Sequence, residues 1–258
     1  MSLSARCRGS GPSLALLHGW GMNSAVWEEL PSSVAAGRRL WEIELPGHGE
    51  SRFQLRHDSL EAWADACLES APERAVWLGW SLGGLIALEA ALRAPDRVCA
   101  LVLMTATPRF VRAPDWPDAI DADVLAQFRD GLVADPRGTL DRFLALQLMG
   151  GEAARDSMRT LRREVAQRPA ANPHAMEVGL DLLRDGDLRQ RLGSLSCPNL
   201  WLFGRRDTLV PAAVSEGIAR LLPGARQRVI AGAAHAPLLS HPRETGEEIL
   251  GFLQEVRC

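Results

Sequence analysis

Short apolar runs bounded by turn residues recur along the chain and alternate with segments whose apolar positions repeat every three to four residues. Leu14-Ala15-Leu16-Leu17, Arg39–Leu45, Ala75–Leu78, Cys99–Met104, Asn199–Phe203 and Arg226–Ile230 read as strands. The continuously apolar ones read as strands buried on both faces of a parallel sheet. Between them, Ser24–Ala35, Ser59–Ser70, Leu82–Arg93, Pro211–Leu222 and Glu244–Val256 read as helices. Leu60, Trp63, Ala64, Cys67 and Leu68 form one apolar face of the second, and Pro95 closes the third. Residues 1–13 are polar and glycine-rich, with room for one short strand around Leu3–Cys7. Strands alternating with helices predict an α/β protein with a mostly parallel, doubly wound sheet and its active loops at the carboxyl ends of the strands.

From Arg109 to Arg191 the pattern changes. This stretch shows no strand, only helical segments punctuated by Pro114, Pro117, Pro136, Pro169 and Pro173. A block of this kind between two sheet strands predicts a helical cap over residues 109–191, on a core formed by 1–108 and 192–258. Within the cap, Leu140, Phe143, Leu144, Leu146, Gln147 and Leu148 predict a mostly apolar helix suited to closing over a substrate.

The length of 258 residues suits one large α/β domain with an insertion, and a net charge of −3 argues against general affinity for nucleic acid or acidic membrane. All 29 basic residues are arginine. Cys7, Cys67, Cys99, Cys197 and Cys258 are odd in number and widely spaced, which implies neither a disulfide framework nor a zinc site; a reducing cytoplasm is the expectation. Arg6 and Arg8 precede an apolar run of only four residues, too short for a signal peptide, and no run approaches the length of a membrane span. A monomer is the default expectation.

The chemistry gathers at Gly79-Trp80-Ser81-Leu82-Gly83, a G-x-S-x-G between a predicted strand and a predicted helix. That context marks a nucleophile elbow, in which a sharp turn exposes the serine at the top of the sheet. A serine hydroxyl is a weak nucleophile at neutral pH and needs a base, itself oriented by a third group. Asp207 and His235 each follow a predicted strand, in the chain order nucleophile, acid, histidine. Ser81 is therefore assigned as nucleophile, His235 as general base and then acid, and Asp207 as the orienting carboxylate. The glycine loop His18-Gly19-Trp20-Gly21 predicts an oxyanion site made by the backbone N–H groups of Trp20 and Leu82, with His18 bracing the loop. His48, His57, His174 and His241 read as structural or surface histidines; Asp181, Asp185 and Asp187 lie at the end of the cap, not after a sheet strand. No residue pattern calls for a metal or a cofactor.

Taken together, these motifs make the whole chain resemble the α/β-hydrolase family. Within it, the tryptophans beside the oxyanion loop and nucleophile, the cap segment Arg142-Phe143-Leu144-Ala145-Leu146-Gln147 and Ala233-Ala234-His235-Ala236-Pro237 are similar to those of the esterases acting on pimeloyl-acyl-carrier-protein methyl ester in biotin synthesis. The resemblance implies substrate contacts at Trp20, Ser81, Leu82, Phe143, Leu144, Ala145, Leu146, Gln147 and His235. It also implies docking of an acidic acyl carrier protein on Arg142, Arg155 and Arg159, with Arg137 near a further such position. Arg155, Arg159, Arg162 and Arg163 recur at helical spacing, which fits either a basic docking face or a solvated helix surface. A broad short-chain carboxylesterase, a carbon–carbon bond hydrolase of the same fold, and a ligand-binding receptor that lost turnover are the alternatives the residues leave open.

Overall fold

The computed structural model describes residues 2–146, 156, 159 and 162–258, with Leu146 described by its backbone alone. Its centre is a seven-stranded sheet: β1 (Ala5–Gly9), β2 (Ser13–Leu17), β3 (Arg39–Ile43), β4 (Ala75–Trp80), β5 (Val98–Met104), β6 (Asn199–Gly204) and β7 (Arg226–Ile230). The spatial order is β1-β3-β2-β4-β5-β6-β7, with β1 antiparallel to β3 and every other pairing parallel. The single strand expected near the N-terminus is this edge strand, two residues later than Leu3–Cys7.

Period-two alternation divides the core between the two sheet faces. Ala15, Leu17, Trp77, Leu101 and Leu103 join one apolar cluster, with α2 (Leu60–Ser70) and α3 (Leu82–Arg93). Leu14, Leu16, Leu78, Trp80, Val102 and Met104 join the other. That second cluster is closed by the segment Val26–Val34 and by the C-terminal helix Pro242–Glu255. Helices on both faces make the sheet doubly wound.

Ser24–Ala35 is not the continuous helix its pattern predicts. It forms a 3₁₀ helix over Ser24–Glu29, capped by the Asn23 side chain, and a separate short helix, α1 (Ser32–Ala35). Pro31 divides them: the residue before a proline is pushed out of helical space, and Leu30 is extended at φ −64° and ψ 124°.

Among the described residues, the 109–191 segment adds no strand to the sheet. It makes isolated bridges such as Arg109 with Asp187, and the helices α4 (Ala122–Ala134), α5 (Pro136–Leu146) and α6 (Pro173–Asp185). Leu125, Phe128, Leu132, Phe143, Met176 and Leu180 from these helices extend the first core cluster beyond the carboxyl ends of the strands.

The cysteines correct one expectation. Cys99, near the start of β5, is joined to Cys258, the last residue, across a sequence separation of 159. Their spacing carries no hint of this pairing, which arises because the C-terminal helix returns the chain to the amino edge of the sheet. Cys7, Cys67 and Cys197 are free thiols. No helix among the described residues is long and apolar enough to cross a membrane.

Candidate active site

Parallel register brings the ends of the central strands together. Leu17 stands opposite Gly79 and Trp80 opposite Met104, so the loop after β2, the turn after β4 and the start of the segment after β5 are neighbours. Ser81 occupies that turn at φ 55° and ψ −116°, a conformation costly for a residue with a side chain. The turn closes this tightly because its flanking glycines leave room. A Cβ on Gly79 would strike the Gly83 carbonyl, and one on Gly83 would strike the carbonyls of Leu17 and His18. The Ser81 N–H is itself held by the Met104 carbonyl at 2.9 Å.

The strain is matched by the position of the hydroxyl. Ser81 Oγ lies 2.9 Å from His235 Nε2, and His235 Nδ1 lies 2.8 Å from Asp207 Oδ2. The other carboxylate oxygen of Asp207 accepts the N–H groups of Leu209 at 2.8 Å and Val210 at 2.9 Å. With Nδ1 donating to the carboxylate, Nε2 is free to accept from the serine. All three residues are buried, Ser81 at 4% exposure. Asp181, Asp185 and Asp187 are engaged elsewhere, by Arg129 and Arg184, by Arg184, and by Arg109 and Arg189 respectively.

Trp20 and Leu82 are fully buried, and among the described residues neither backbone N–H has a hydrogen-bond acceptor. Buried main-chain donors are almost always paired, so two orphans, one of them directly after Ser81 in the chain, are suited to receiving negative charge. The loop is stiffened from behind. His18 Nδ1 lies 2.9 Å from the Gly19 carbonyl while its Nε2 accepts the Leu45 N–H at 3.1 Å, the bracing role expected of it.

A buried polar cluster extends from this brace. Glu44 accepts the Ser24 N–H at 3.0 Å and the Ser24 hydroxyl at 2.8 Å, and Arg168 reaches it at 3.0 Å. Burial works to raise the Glu44 carboxyl, but contact with His18 and the Ser24 donors outweighs it and holds the group at about 2. His48 is pushed down to about 3, chiefly by burial and then by neighbouring His18. It is a neutral, structural histidine. His57 is likewise buried, while His174 is exposed.

The cap residues named from the sequence divide. Phe143 packs edge-on against Trp20 with ring centroids 4.8 Å apart, Leu144 is buried in the second core cluster, and Ala145 is exposed. The Leu146 side chain, Gln147 and Arg155 lie outside the described residues. Arg142 is exposed and donates to Thr139 at 2.7 Å. Arg159 lies 3.6 Å from Asp156 and Arg163 3.2 Å from Glu164, so the basic positions carry acidic neighbours. Sequence reasoning missed Met176, whose carbonyl accepts the Trp20 indole N–H at 2.8 Å. It also missed Thr105 and the indole of Trp80, which both donate to the His235 carbonyl at 2.9 Å. No motif marks any of the three contacts.

A strained serine at a strand–helix elbow, relayed through a histidine to a carboxylate on a doubly wound sheet, defines a serine hydrolase architecture. The chain belongs to the α/β-hydrolase family, whose profile, described as alpha/beta hydrolase fold, matches residues 12–242. It is similar to the pimeloyl-[acyl-carrier protein] methyl ester esterase of Photobacterium profundum, 43% identical over 98% of this chain and 99% of that protein. The enzymes of the same name from Xanthomonas oryzae pv. oryzae (44%; 96% and 97% of the two chains) and Vibrio campbellii (45%; 90% and 91%) are comparably similar. Among solved structures, an esterase from Exiguobacterium antarcticum superposes with a TM-score of 0.88 over 98% of this chain and 96% of that one. At 21% identity it bears on the fold alone.

Proposed function

We propose that the protein is a serine carboxylesterase that removes the methyl group from pimeloyl-acyl-carrier-protein methyl ester, leaving the thioester to the carrier intact. The observation that carries the catalytic part is the continuous relay Ser81–His235–Asp207 beside two unpartnered backbone donors. In this reading Ser81 Oγ attacks the ester carbonyl while His235 Nε2 takes its proton, and the new oxyanion is received by the N–H groups of Trp20 and Leu82. Each donor contributes about 3 kcal/mol to that intermediate. Collapse of the intermediate breaks the bond to methoxide, which leaves as methanol with the proton from His235. Water then attacks the acyl-serine with His235 again as base, releasing the free carboxylate and restoring Ser81.

Identity of 43–45% with named esterases, spanning nearly the whole of both chains, supports the substrate. The 109–191 segment serves as a cap: Phe143 and Phe128 close the Trp20 side of the acyl site. Arg142 and Arg159, with Arg155 of the same segment, receive the acidic carrier.

A fluorophosphonate probe tests the chemistry: it labels the native protein, and Ser81→Ala abolishes labelling while the protein still melts cooperatively. Comparing pimeloyl-carrier methyl ester with the free methyl ester tests the substrate. The carrier-borne ester is turned over faster, and charge reversal at Arg142 and Arg159 removes the difference. Equal rates in every arm mean a broader esterase. Restoration of growth in a biotin auxotroph lacking this step checks the role in the cell.

A further inference from the structure

Thr105 is the first residue after β5 and, with Ser81, one of two non-glycine residues at positive φ among those described. At φ 43° a β-branched side chain is held in a conformation it rarely adopts, and Thr105 is completely buried. Such strain persists only where the surroundings over-determine it. Here the Thr105 N–H donates to the Leu202 carbonyl of β6 at 2.7 Å, and its hydroxyl donates to the backbone carbonyl of His235 at 2.9 Å. The indole N–H of Trp80 donates to that same carbonyl at 2.9 Å. One carbonyl thus collects both donors, one from each residue that adjoins the nucleophile's own anchor, since Ser81 follows Trp80 and its N–H is bonded to Met104, the residue before Thr105.

The loop carrying His235 leaves β7, at the far edge of the sheet from β2, and must hold its imidazole in line with a serine delivered by β4. The side-chain bonds from Ser81 and Asp207 orient the ring; nothing in them sets the position of the backbone from which it hangs. We infer that Thr105 is a positioning residue for the general base, its strained backbone aiming a hydroxyl that, with the Trp80 indole, clamps the His235 carbonyl in register with Ser81. The inference rests on the reading of His235 as the base.

Thr105→Val tests it, because valine keeps the branching and volume and removes only the donor. Trp80 still satisfies the His235 carbonyl, so no buried acceptor is orphaned. On a chromogenic short-chain ester, Thr105→Val lowers kcat about tenfold with KM within about twofold, the signature of misplaced catalytic groups. Thr105→Ser, which restores the hydroxyl, stays within about twofold of the native enzyme. Unchanged kcat in Thr105→Val overturns the inference, as do equal losses in the valine and serine variants, which would assign the effect to packing. If Thr105→Val does not fold, Trp80→Phe removes the second donor instead; it produces the same fall in kcat with KM within about twofold, and an undiminished kcat overturns the clamp. A native protein that neither labels nor turns over ester overturns the serine-hydrolase reading itself.

Discussion

The indole N–H of Trp20 donates to the main-chain carbonyl of Met176 at 2.8 Å, joining the loop after β2 to helix α6 across 156 residues of sequence. One turn further along α6, Gly179 lies against the same ring. A Cβ there would stand 2.8 Å from Trp20 Cδ1 and 3.3 Å from Leu82 Cδ2. The helix therefore rests on Trp20 and Leu82, the two residues whose backbone N–H groups we propose as oxyanion donors, and its closeness depends on the missing side chain.

Gly179→Ala separates stability from catalysis. Alanine favours a helix interior over glycine by about 1 kcal/mol, so the helix itself is strengthened. The added methyl nevertheless displaces Trp20 or Leu82 by several tenths of an ångström. The expected outcome is a kcat lower by about tenfold to a hundredfold, with the melting temperature little changed. Steady-state kinetics and thermal unfolding of the one variant check both halves. Undiminished kcat would show that α6 does not set the oxyanion geometry.

Arg168 contacts Glu44 at 3.0 Å and also donates to the Ser24 hydroxyl, while the Asn23 amide donates to the Val165 carbonyl at 3.0 Å. Together these bonds tie residues 165–168 to the loops after β2 and β3. Removing one partner of a buried pair leaves the other charge uncompensated, at a cost of about 3 kcal/mol. Arg168 is partly exposed and Glu44 keeps both Ser24 donors, so Arg168→Met is expected to lose less than that, about 1–2 kcal/mol by denaturant unfolding. Limited proteolysis should cut the variant faster within 162–168 than native protein. Equal cutting would mean the ion pair does not hold this segment down.

How much of this was legible in the sequence follows the range of the interactions. Gly79, Ser81 and Gly83 were readable because the elbow's sterics act within five residues and demand those residue types. Asp207 and His235 were readable because each follows a strand end, which parallel topology brings to one edge. Pro31 divided a helix that its apolar pattern continued straight through. Met176, Gly179 and Thr105 were invisible for a different reason. Their contributions are a carbonyl, an absent side chain and a hydroxyl, whose value exists only once the segments around them have packed. The pairing of Cys99 with Cys258 likewise needed the path of the last helix.

His48 supplies a pH dependence of known sign. Its folded pKa is pushed down to about 3, by burial above all, from the ordinary 6.5. Below 6.5 the unfolded chain takes up a proton that the folded chain refuses, so stability present at neutral pH is lost as pH falls from 6.5 toward 3. The slope from this one group approaches about 1.4 kcal/mol per pH unit once well below 6.5. Glu44, depressed from 4.5 to about 2, adds a second loss of the same sign over that lower interval. Urea unfolding of His48→Asn at pH 7, 6 and 5, beside the native protein, should show the slope reduced in the variant. Parallel slopes would mean that His48 accepts its proton without unfolding.

The Cys99–Cys258 bridge ties the chain's last residue to β5 at the end remote from chemistry. Because β5 runs parallel to β4, Cys99 sits at the amino edge of the sheet while Ser81 sits at its carboxyl edge. The bridge closes a long loop and pins the tail that follows the helix Pro242–Glu255, whose Ile249, Phe252 and Leu253 complete the second core cluster. Cross-linking of this kind contributes about 2–4 kcal/mol by restricting the unfolded chain, and nothing connects it to the alignment of Ser81 with His235. Cys258→Ser, or reduction of the native protein, should therefore lower the melting temperature while kcat and KM at 25 °C hold. If the melting temperature is the same with and without reductant, the bridge contributes no stability. A fall in kcat without loss of folded protein would instead show that the C-terminal helix transmits to the catalytic edge, across the very strand whose two ends carry Cys99 and Met104.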